Sequence, residues 1–175
     1  MFEVKIFIET SIRGPAVRTG AGMYIIEYIK QSGEAETRSG ILVREKATEN
    51  ALALAALDGA FRRLTKTCSA GVTTECQHIL NVMWNHYLPV WEKNGWFNAK
   101  GNPVANKELW QKVSGHVKDH TVSFGREESI YRKRMRFDTE KAVEAFKDGR
   151  EYHPAERYKR VPAVPDGSGE YWVLW

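Results

Sequence analysis

The sequence predicts an α/β domain in which a mixed sheet of about five strands is flanked by helices. Two observations carry this prediction. β-branched and aromatic segments fill the first part of the chain, and from Thr48 onward apolar residues recur at helical spacing. The resulting order is three strands, a helix, a strand, helices, a strand and a final helix. A meander followed by alternating strands and helices gives a mixed sheet with helices on its faces.

The first half of the chain contains three predicted strands and one helix. The strands are predicted at 4–9, 23–29 and 35–43, with a hairpin turn at 31–34. The helix covers 48–64, where Thr48 is a suitable N-cap and Glu49 lies in the first turn. These elements place a charged residue, Glu9, at the end of the first strand.

The second half alternates between strands and helices before a tail rich in Pro and Tyr. The predicted elements are a strand at 71–75, a helix at 77–91 with a bend near Pro89, a helix at 106–118, a strand at 121–124, a charged loop at 125–136 and a helix at 138–147. We therefore expect a domain over residues 1–150 and an extension over 151–175.

Composition narrows the class of protein. The chain has 175 residues, a net charge of +4 and two cysteines. No apolar run reaches the roughly 20 residues that a membrane span needs, and the N-terminus lacks the pattern of a signal peptide. We expect a cytoplasmic protein with no membrane partner, and the charge permits an anionic partner.

The segment 91–112 carries the most specific motif. Residues 91–96 read Trp-Glu-Lys-Asn-Gly-Trp, residues 102–106 read Asn-Pro-Val-Ala-Asn, and residues 109–112 read Leu-Trp-Gln-Lys. This pattern resembles the helix–loop–helix handle of bacterial-type ribonuclease H. Further segments resemble the same family in the same order, at 6–11, 48–54, 73–77 and 136–138. The resemblance spans about residues 4–145 and implies a ribonuclease H-like sheet.

The resemblance implies a cluster of acidic residues that this chain matches only in part. The family hydrolyses the RNA strand of RNA–DNA hybrids with two Mg²⁺ ions, held by four acids. Glu9 and Glu75 occupy two aspartate positions with a side chain one methylene longer, and Asp138 matches a third acid. The helix glutamate is replaced by Ala53. The resemblance therefore implies a weakened Mg or Mn site with Glu9, Glu75 and Asp138 as ligands.

Each of these residues also has a structural interpretation. Glu9 and Glu75 suit the solvated ends of strands, and Asp138 suits a helix N-cap. Glu49 lies one helical turn before Ala53 and is the nearby substitute if the site has shifted. The loop before the last helix lacks the histidine that the family carries there.

A second predicted site is a nucleic-acid surface on the handle and on the basic run before the last helix. Its residues are Lys93, Trp96, Lys100, Asn106, Lys107, Lys112, Arg132, Lys133 and Arg134. The alternative is that the handle tryptophans pack the helix pair together and that the basic run is a solvated loop. The five histidines and two cysteines form no zinc motif.

Three functions follow as hypotheses. The first is a metal-dependent nuclease that cleaves RNA–DNA hybrids with Glu9, Glu75 and Asp138. The second is a nucleic-acid-binding protein that has kept the shape of the family and has weak or no nuclease activity. The third is a protein-interaction domain whose aromatic tail (Tyr171, Trp172 and Trp175) docks a partner. Ala53 favours the second, because a lost ligand weakens a two-metal site.

Overall fold

The computed structural model describes residues 2–155, 159–162 and 171–174. The strands are β1 (Phe2–Thr10), β2 (Arg18–Ile29), β3 (Ala35–Ala47), β4 (Cys68–Thr73), β5 (Thr121–Gly125), β6 (Lys159–Pro162) and β7 (Tyr171–Leu174). The helices are α1 (Glu49–Arg62), α2 (Gln77–Trp84), α3 (Tyr87–Lys93), α4 (Lys107–Asp119) and α5 (Arg132–Lys147).

The main sheet has five strands in the order β3-β2-β1-β4-β5. Strands β1, β2 and β3 form an antiparallel meander, whereas β4 pairs with both β1 and β5 in parallel. Parallel neighbours need a crossover connection, and α1 and the helices α2 to α4 provide the two crossovers. The predicted mixed five-stranded sheet is therefore confirmed.

Successive side chains of β1 point to opposite faces of the sheet, so the core has one part on each face. Val4, Ile6 and Ile8 point toward α1 and belong to the larger apolar cluster, which also contains Trp110 of α4. The opposite face of the sheet carries Phe7 and is covered by α5. Each functional side chain on β1 therefore has a fixed side of the sheet.

The first helix begins as predicted. Thr48 is its N-cap, and the Thr48 hydroxyl accepts a hydrogen bond from the backbone N–H of Ala51 at 3.2 Å. The long helix predicted at 77–91 is instead two helices, because His86 adopts a left-handed conformation with φ 55°. The break lies three residues before Pro89, so Pro89 falls inside α3 rather than at the bend.

Other predicted boundaries are also wrong. Strand β2 begins at Arg18 rather than at 23, and β3 ends at Ala47 rather than at 43. Strand β4 covers Cys68–Thr73 rather than 71–75. Helix α5 begins at Arg132, so the second part of the predicted charged loop is helical. Buried Tyr131 and Met135 pack against the sheet and fix this early start.

The chain folds back after α5. The Ser39 hydroxyl of β3 donates to the carbonyl of Ala155 at 2.5 Å, and Ala155 packs against the cluster under α5. Strands β6 and β7 form a separate antiparallel ribbon in which Val161 pairs with Trp172. Trp175 lies outside the described residues. None of the described helices has the length and apolar character required to cross a membrane.

A close approach between α1 and β2 determines where α1 lies. A Cβ atom added at Gly22 would lie 2.6 Å from the carbonyl oxygen of Leu52, which is far inside van der Waals contact. Only glycine permits this approach. Because Ala53 follows Leu52, the approach also brings the start of α1 beside the end of β1.

We expect Gly22→Ala to destabilise the fold by about 1–3 kcal/mol, because backbone must move to admit the methyl group. Gly71→Ala is the matched control in β4 of the same sheet, since its Cβ would meet the nearest atom, Oγ of Ser123, at an ordinary 3.8 Å. Urea unfolding of both variants measures the difference. Equal stability of the two variants would contradict the close approach of α1.

Candidate functional site

Glu9 and Glu75 meet at one edge of the sheet. Strands β1 and β4 are parallel, and Phe7 pairs with Thr73. Glu9 and Glu75 each lie two residues beyond this pair, and both line the same cleft. Burial is the largest cause of the raised pKa of Glu9, and the nearby Glu75 carboxylate adds to it. The sequence prediction that these acids converge agrees with this geometry.

Helix α1 contributes Ala53 and Glu49 to the same cleft. Both residues line it together with Glu9, Arg13 and Glu75. Ala53 is fully buried and offers only a methyl group. The Glu49 carboxyl, one turn earlier, has its pKa raised by burial, which the Arg13 charge partly opposes. The position predicted to lack a ligand therefore faces the cleft, and Glu49 lies within it.

Three arginines surround the buried carboxylate of Glu9. Arg13, in the loop after β1, donates a hydrogen bond to Glu9 Oε1. The Nε atom of Arg136 lies 3.8 Å from the same oxygen, and the Nε atom of Arg132 lies 4.0 Å from Oε2. Burial raises the pKa of Glu9, and the three guanidinium groups partly offset this rise.

Arg132 also links the two acids. It lies at the first position of α5 and donates a hydrogen bond to Glu75 Oε1 while its Nε atom approaches Glu9. The Arg132 side chain is 23% exposed, and the Glu75 side chain is 30% exposed. Glu75 is therefore a half-buried partner in an ion pair rather than a freely solvated residue at a strand end.

Asp138 lies inside α5 and is fully buried, so its predicted role as an N-cap is wrong. Arg134, one turn earlier, lies 3.1 Å from Asp138 Oδ1. The Tyr152 hydroxyl donates to the same carboxylate at 2.5 Å. Burial and the Asp138 carboxylate raise the pKa of Tyr152 to about 12, so the phenol remains a hydrogen-bond donor at neutral pH. The fourth acid is thus held by groups of α5 and the returning chain.

The acids do not assemble into a ligand set of the kind that holds a metal. Within residues 2–155 and the two short C-terminal strands, no group of three or more His, Cys, Asp or Glu side chains is placed to hold an ion. Ala53 supplies no oxygen, and arginines occupy the carboxylate oxygens of Glu9 and Glu75. The residues present therefore fit guanidinium partners rather than a pair of divalent ions.

The tryptophans of the handle form a packed unit. Trp91 stacks edge-on against Trp110 with ring centroids 5.8 Å apart, and it contacts Trp96 at 6.4 Å. Trp110 is fully buried, and its indole N–H donates to Nε2 of His78 at 3.2 Å. The structural interpretation therefore holds fully for Trp110, whereas Trp91 and Trp96 are both partly buried and pack against the core.

The predicted basic residues of the handle lie on its surface. Lys93 ends α3, Lys100 lies in the connecting loop and Lys112 lies on α4, and all three are exposed. Lys107 and Asn106, at the start of α4, are half-buried. Glu92 does not neutralise these lysines, because it pairs with Lys118 at 2.7 Å.

The basic run of α5 is divided between two roles. Arg132 and Arg134 contact carboxylates, whereas Lys133 is exposed and has no ion pair among the described residues. Sequence reasoning did not assign roles to Arg13 and Tyr152. The signal for Arg13 was its spacing of four residues from Glu9 across a loop, and Tyr152 gave no local signal at all.

The family model of RNase H matches residues 2–126. The chain belongs to the RNase H family. The ribonuclease H of Clostridium botulinum (strain Hall) is 29% identical over 124 residues, which cover 71% of this chain and 81% of that protein. The ribonuclease H of Lachnoclostridium phytofermentans is 29% identical over 122 residues, covering 70% of this chain and 77% of that protein.

Solved RNase H structures share the fold. The crystal structure of LC9-RNase H1, described as a type 1 RNase H with the type 2 active-site motif, matches with a TM-score of 0.67 and 21% identity over 82% of this chain and 72% of that chain. The N-terminal RNase H domain of Rv2228c from Mycobacterium tuberculosis matches with a TM-score of 0.53 and 12% identity, covering 85% and 99%. These similarities confirm the predicted RNase H fold.

The raised pKa of Glu9 predicts how one substitution depends on pH. The folded protein holds the Glu9 proton more tightly than the unfolded chain does. As pH rises from 4.5 through the higher folded-state pKa, ionisation of Glu9 therefore costs folding free energy. We expect Glu9→Gln, which mimics the protonated carboxyl, to match the parent at about pH 4 and to be more stable at about pH 7.

Glu92→Gln provides a control of opposite sign. Lys118 and Ser114 lower the pKa of Glu92 in the folded protein. Ionised Glu92 therefore stabilises the fold above the pKa that it has in the unfolded chain, and this contribution is lost as pH falls. This variant should lose a small amount of stability at neutral pH, because Glu92 is partly exposed and solvent screens its ion pair with Lys118. Urea unfolding at both pH values measures each difference. A Glu9→Gln variant less stable than the parent at neutral pH would show that guanidinium attraction outweighs burial.

Proposed function

We propose that this chain binds nucleic acid, either an RNA–DNA hybrid or another duplex, and that its metal-dependent nuclease activity is weak or lost. The observation that carries the proposal is the pairing of the cleft acids with arginines beside the methyl group of Ala53. The shape of an RNase H is retained, and the charge that would attract divalent ions is already neutralised by the protein.

Two-metal hydrolysis requires several carboxylate oxygens around both ions. Mg²⁺ also demands near-ideal octahedral geometry, which the longer arms of Glu9 and Glu75 disturb. An arginine on each of these carboxylates competes directly with a cation for the same oxygen atoms. Because preorganised electrostatics is usually the largest contribution to catalysis, these changes are expected to remove orders of magnitude in rate.

The handle supports the binding half of the proposal. Lys93, Lys100 and Lys112 are exposed and form no ion pair within the described part of the chain, so their charges are available to phosphates. Trp96, three residues after Lys93 in the chain, is partly exposed, and an indole face suits stacking with a base. The net charge of +4 favours an anionic partner.

The second candidate function is an active two-metal ribonuclease that uses Glu9, Glu75 and Asp138. It is favoured by the matched relatives, which are named ribonuclease H and of which this chain covers most of the length. It requires Arg13 and Arg132 to leave the carboxylates when metal binds. The Arg13 side chain is 42% exposed and has room to do so. Interaction with a protein through the aromatic tail stays a prediction.

A cytoplasmic location is part of the proposal. Cys68 and Cys76 are both free and buried, which suits a reducing compartment. The division into a domain at 1–150 and an extension at 151–175 likewise stays a prediction, and the contact between Tyr152 and Asp138 argues for moving the boundary toward the C-terminus.

We expect the protein to bind an RNA–DNA hybrid in a salt-sensitive manner and to cleave it far more slowly than a two-metal RNase H. Replacing Lys93, Lys100 and Lys112 together with Gln should lower the slope of log affinity against log salt by about 0.9 for each phosphate that a lysine no longer neutralises. Lys30→Gln is the control, because Lys30 pairs with Glu34 and Glu36 at the far hairpin. Fluorescence anisotropy measures binding, and gel analysis with Mg²⁺ or Mn²⁺ measures cleavage.

Glu75→Gln separates true activity from a contaminating nuclease. Efficient cleavage that this substitution abolishes would refute the loss of activity and establish the second candidate function. Absence of salt-sensitive binding to any duplex would refute both nucleic-acid functions and leave the protein-interaction hypothesis.

A further inference from the structure

The arginines around Glu9 have more hydrogen-bond donors than the cleft can use. Each guanidinium carries five N–H groups, and a carboxylate offers about four lone-pair positions. Within the described part of the chain, Arg13 donates to Glu9 and Arg132 donates to Glu75, while Arg136 approaches Glu9 only at 3.8 Å. Most of the donors on these three side chains are therefore left for another acceptor.

The same side chains face solvent. The exposed fraction is 42% for Arg13, 47% for Arg136 and 23% for Arg132. Arg134 differs, since its side chain is 13% exposed and it pairs with the buried carboxylate of Asp138. The three arginines around Glu9 form an accessible group at the mouth of the cleft, which we call the arginine rim.

The charge at the arginine rim is compatible with the binding of an anion. The three arginines balance the carboxylates of Glu9, Glu49 and Glu75, which line or border the cleft. Arg126 adds a further positive charge at this edge, because its partner is the neutral side chain of Gln77, two residues after Glu75. Glu127 and Glu128 follow Arg126 in the same loop and offset its charge. An approaching phosphate therefore meets guanidinium donors at a nearly neutral edge rather than uncompensated carboxylates.

We propose that the arginine rim of Arg13, Arg132 and Arg136 binds a backbone phosphodiester of a nucleic acid directly, without a divalent metal ion. Planar guanidinium groups match the oxygen spacing of phosphate and bind it through paired hydrogen bonds. The inference rests on the proposed function and specifies one of its contacts. In this proposal, arginine side chains rather than metal ions contact the phosphate at this edge of the sheet.

The test uses the full chain and a labelled RNA–DNA hybrid of about 14 base pairs, which is long enough for phosphate contacts to set the salt dependence. Anisotropy is measured across a range of NaCl concentrations, once with EDTA and once with Mg²⁺. Binding is expected in EDTA, and Mg²⁺ is expected not to strengthen it, because Mg²⁺ only competes with the arginines for the phosphates. Arg136→Gln is expected to weaken it roughly 10-fold and to lower the salt slope by about one, as removal of one cation from a phosphate does.

Arg150→Gln is the matched control. It removes the same charge beyond the other end of α5, from a side chain that pairs with exposed Asp148 at 3.0 Å. It should leave both affinity and salt slope unchanged. Arg13→Gln is a second rim variant on a loop, so the test survives if a substitution within α5 impairs folding. Circular dichroism confirms that each variant compared is folded.

Each other outcome has a defined meaning. Binding in EDTA that neither rim variant alters would overturn the phosphate site and leave the proposed function standing, with the handle as its surface. Binding that requires Mg²⁺ would also overturn it. If no hybrid binds, the proposed function fails. The thermal stability of the protein with and without pyrophosphate then tests whether the arginine rim binds phosphate. Stabilisation lost in Arg13→Gln and Arg136→Gln supports the rim, and no stabilisation of the parent protein overturns it.

Discussion

Carboxylates gathered at one edge of a sheet repel one another, and burial makes each harder to ionise, so they require cations close by. The parallel pairing of β1 and β4 imposes this constraint here, because it brings Glu9 beside Glu75. The family meets the requirement with divalent ions. Here, arginines on the loop after β1 and on the first turns of α5 lie beside these carboxylates. The early start of α5, which buried Tyr131 and Met135 fix, places Arg132 beside Glu75.

The fold class could be predicted from the periodicity of the strands and of the first helix, whereas the convergence of Glu9 with Glu75 was implied by the resemblance to the ribonuclease H family. The start of α5 could not be located in this way. Its first turn is so rich in charge that hydropathy indicates a loop, and the buried anchors Tyr131 and Met135 stand alone in it. The same misplacement led to the prediction of Asp138 as an N-cap, when it lies in the helix interior.

The missed residues share a physical reason. Arg13 reaches Glu9 through the course of a loop, which no repeating pattern fixes. Tyr152 reaches Asp138 only because the chain reverses at Gly149, where φ is 70°, and returns beside α5. His86 broke a predicted helix by adopting a left-handed conformation that glycine usually takes. In each case the decisive feature is a tertiary contact or a local backbone conformation, which the hydropathy pattern of one sequence does not specify.

Under the proposed function, guanidinium groups in place of metal ions keep positive charge beside the acids but change what the site can do. A divalent ion lowers the pKa of bound water and so generates a nucleophile at neutral pH. An arginine remains protonated and carries no exchangeable water, so it can bind and orient a phosphate but cannot activate the attack on it. The carboxylates that would serve as general bases are themselves engaged by those arginines. Under the proposed function, the chain therefore keeps a duplex in place and leaves its phosphodiester bonds intact.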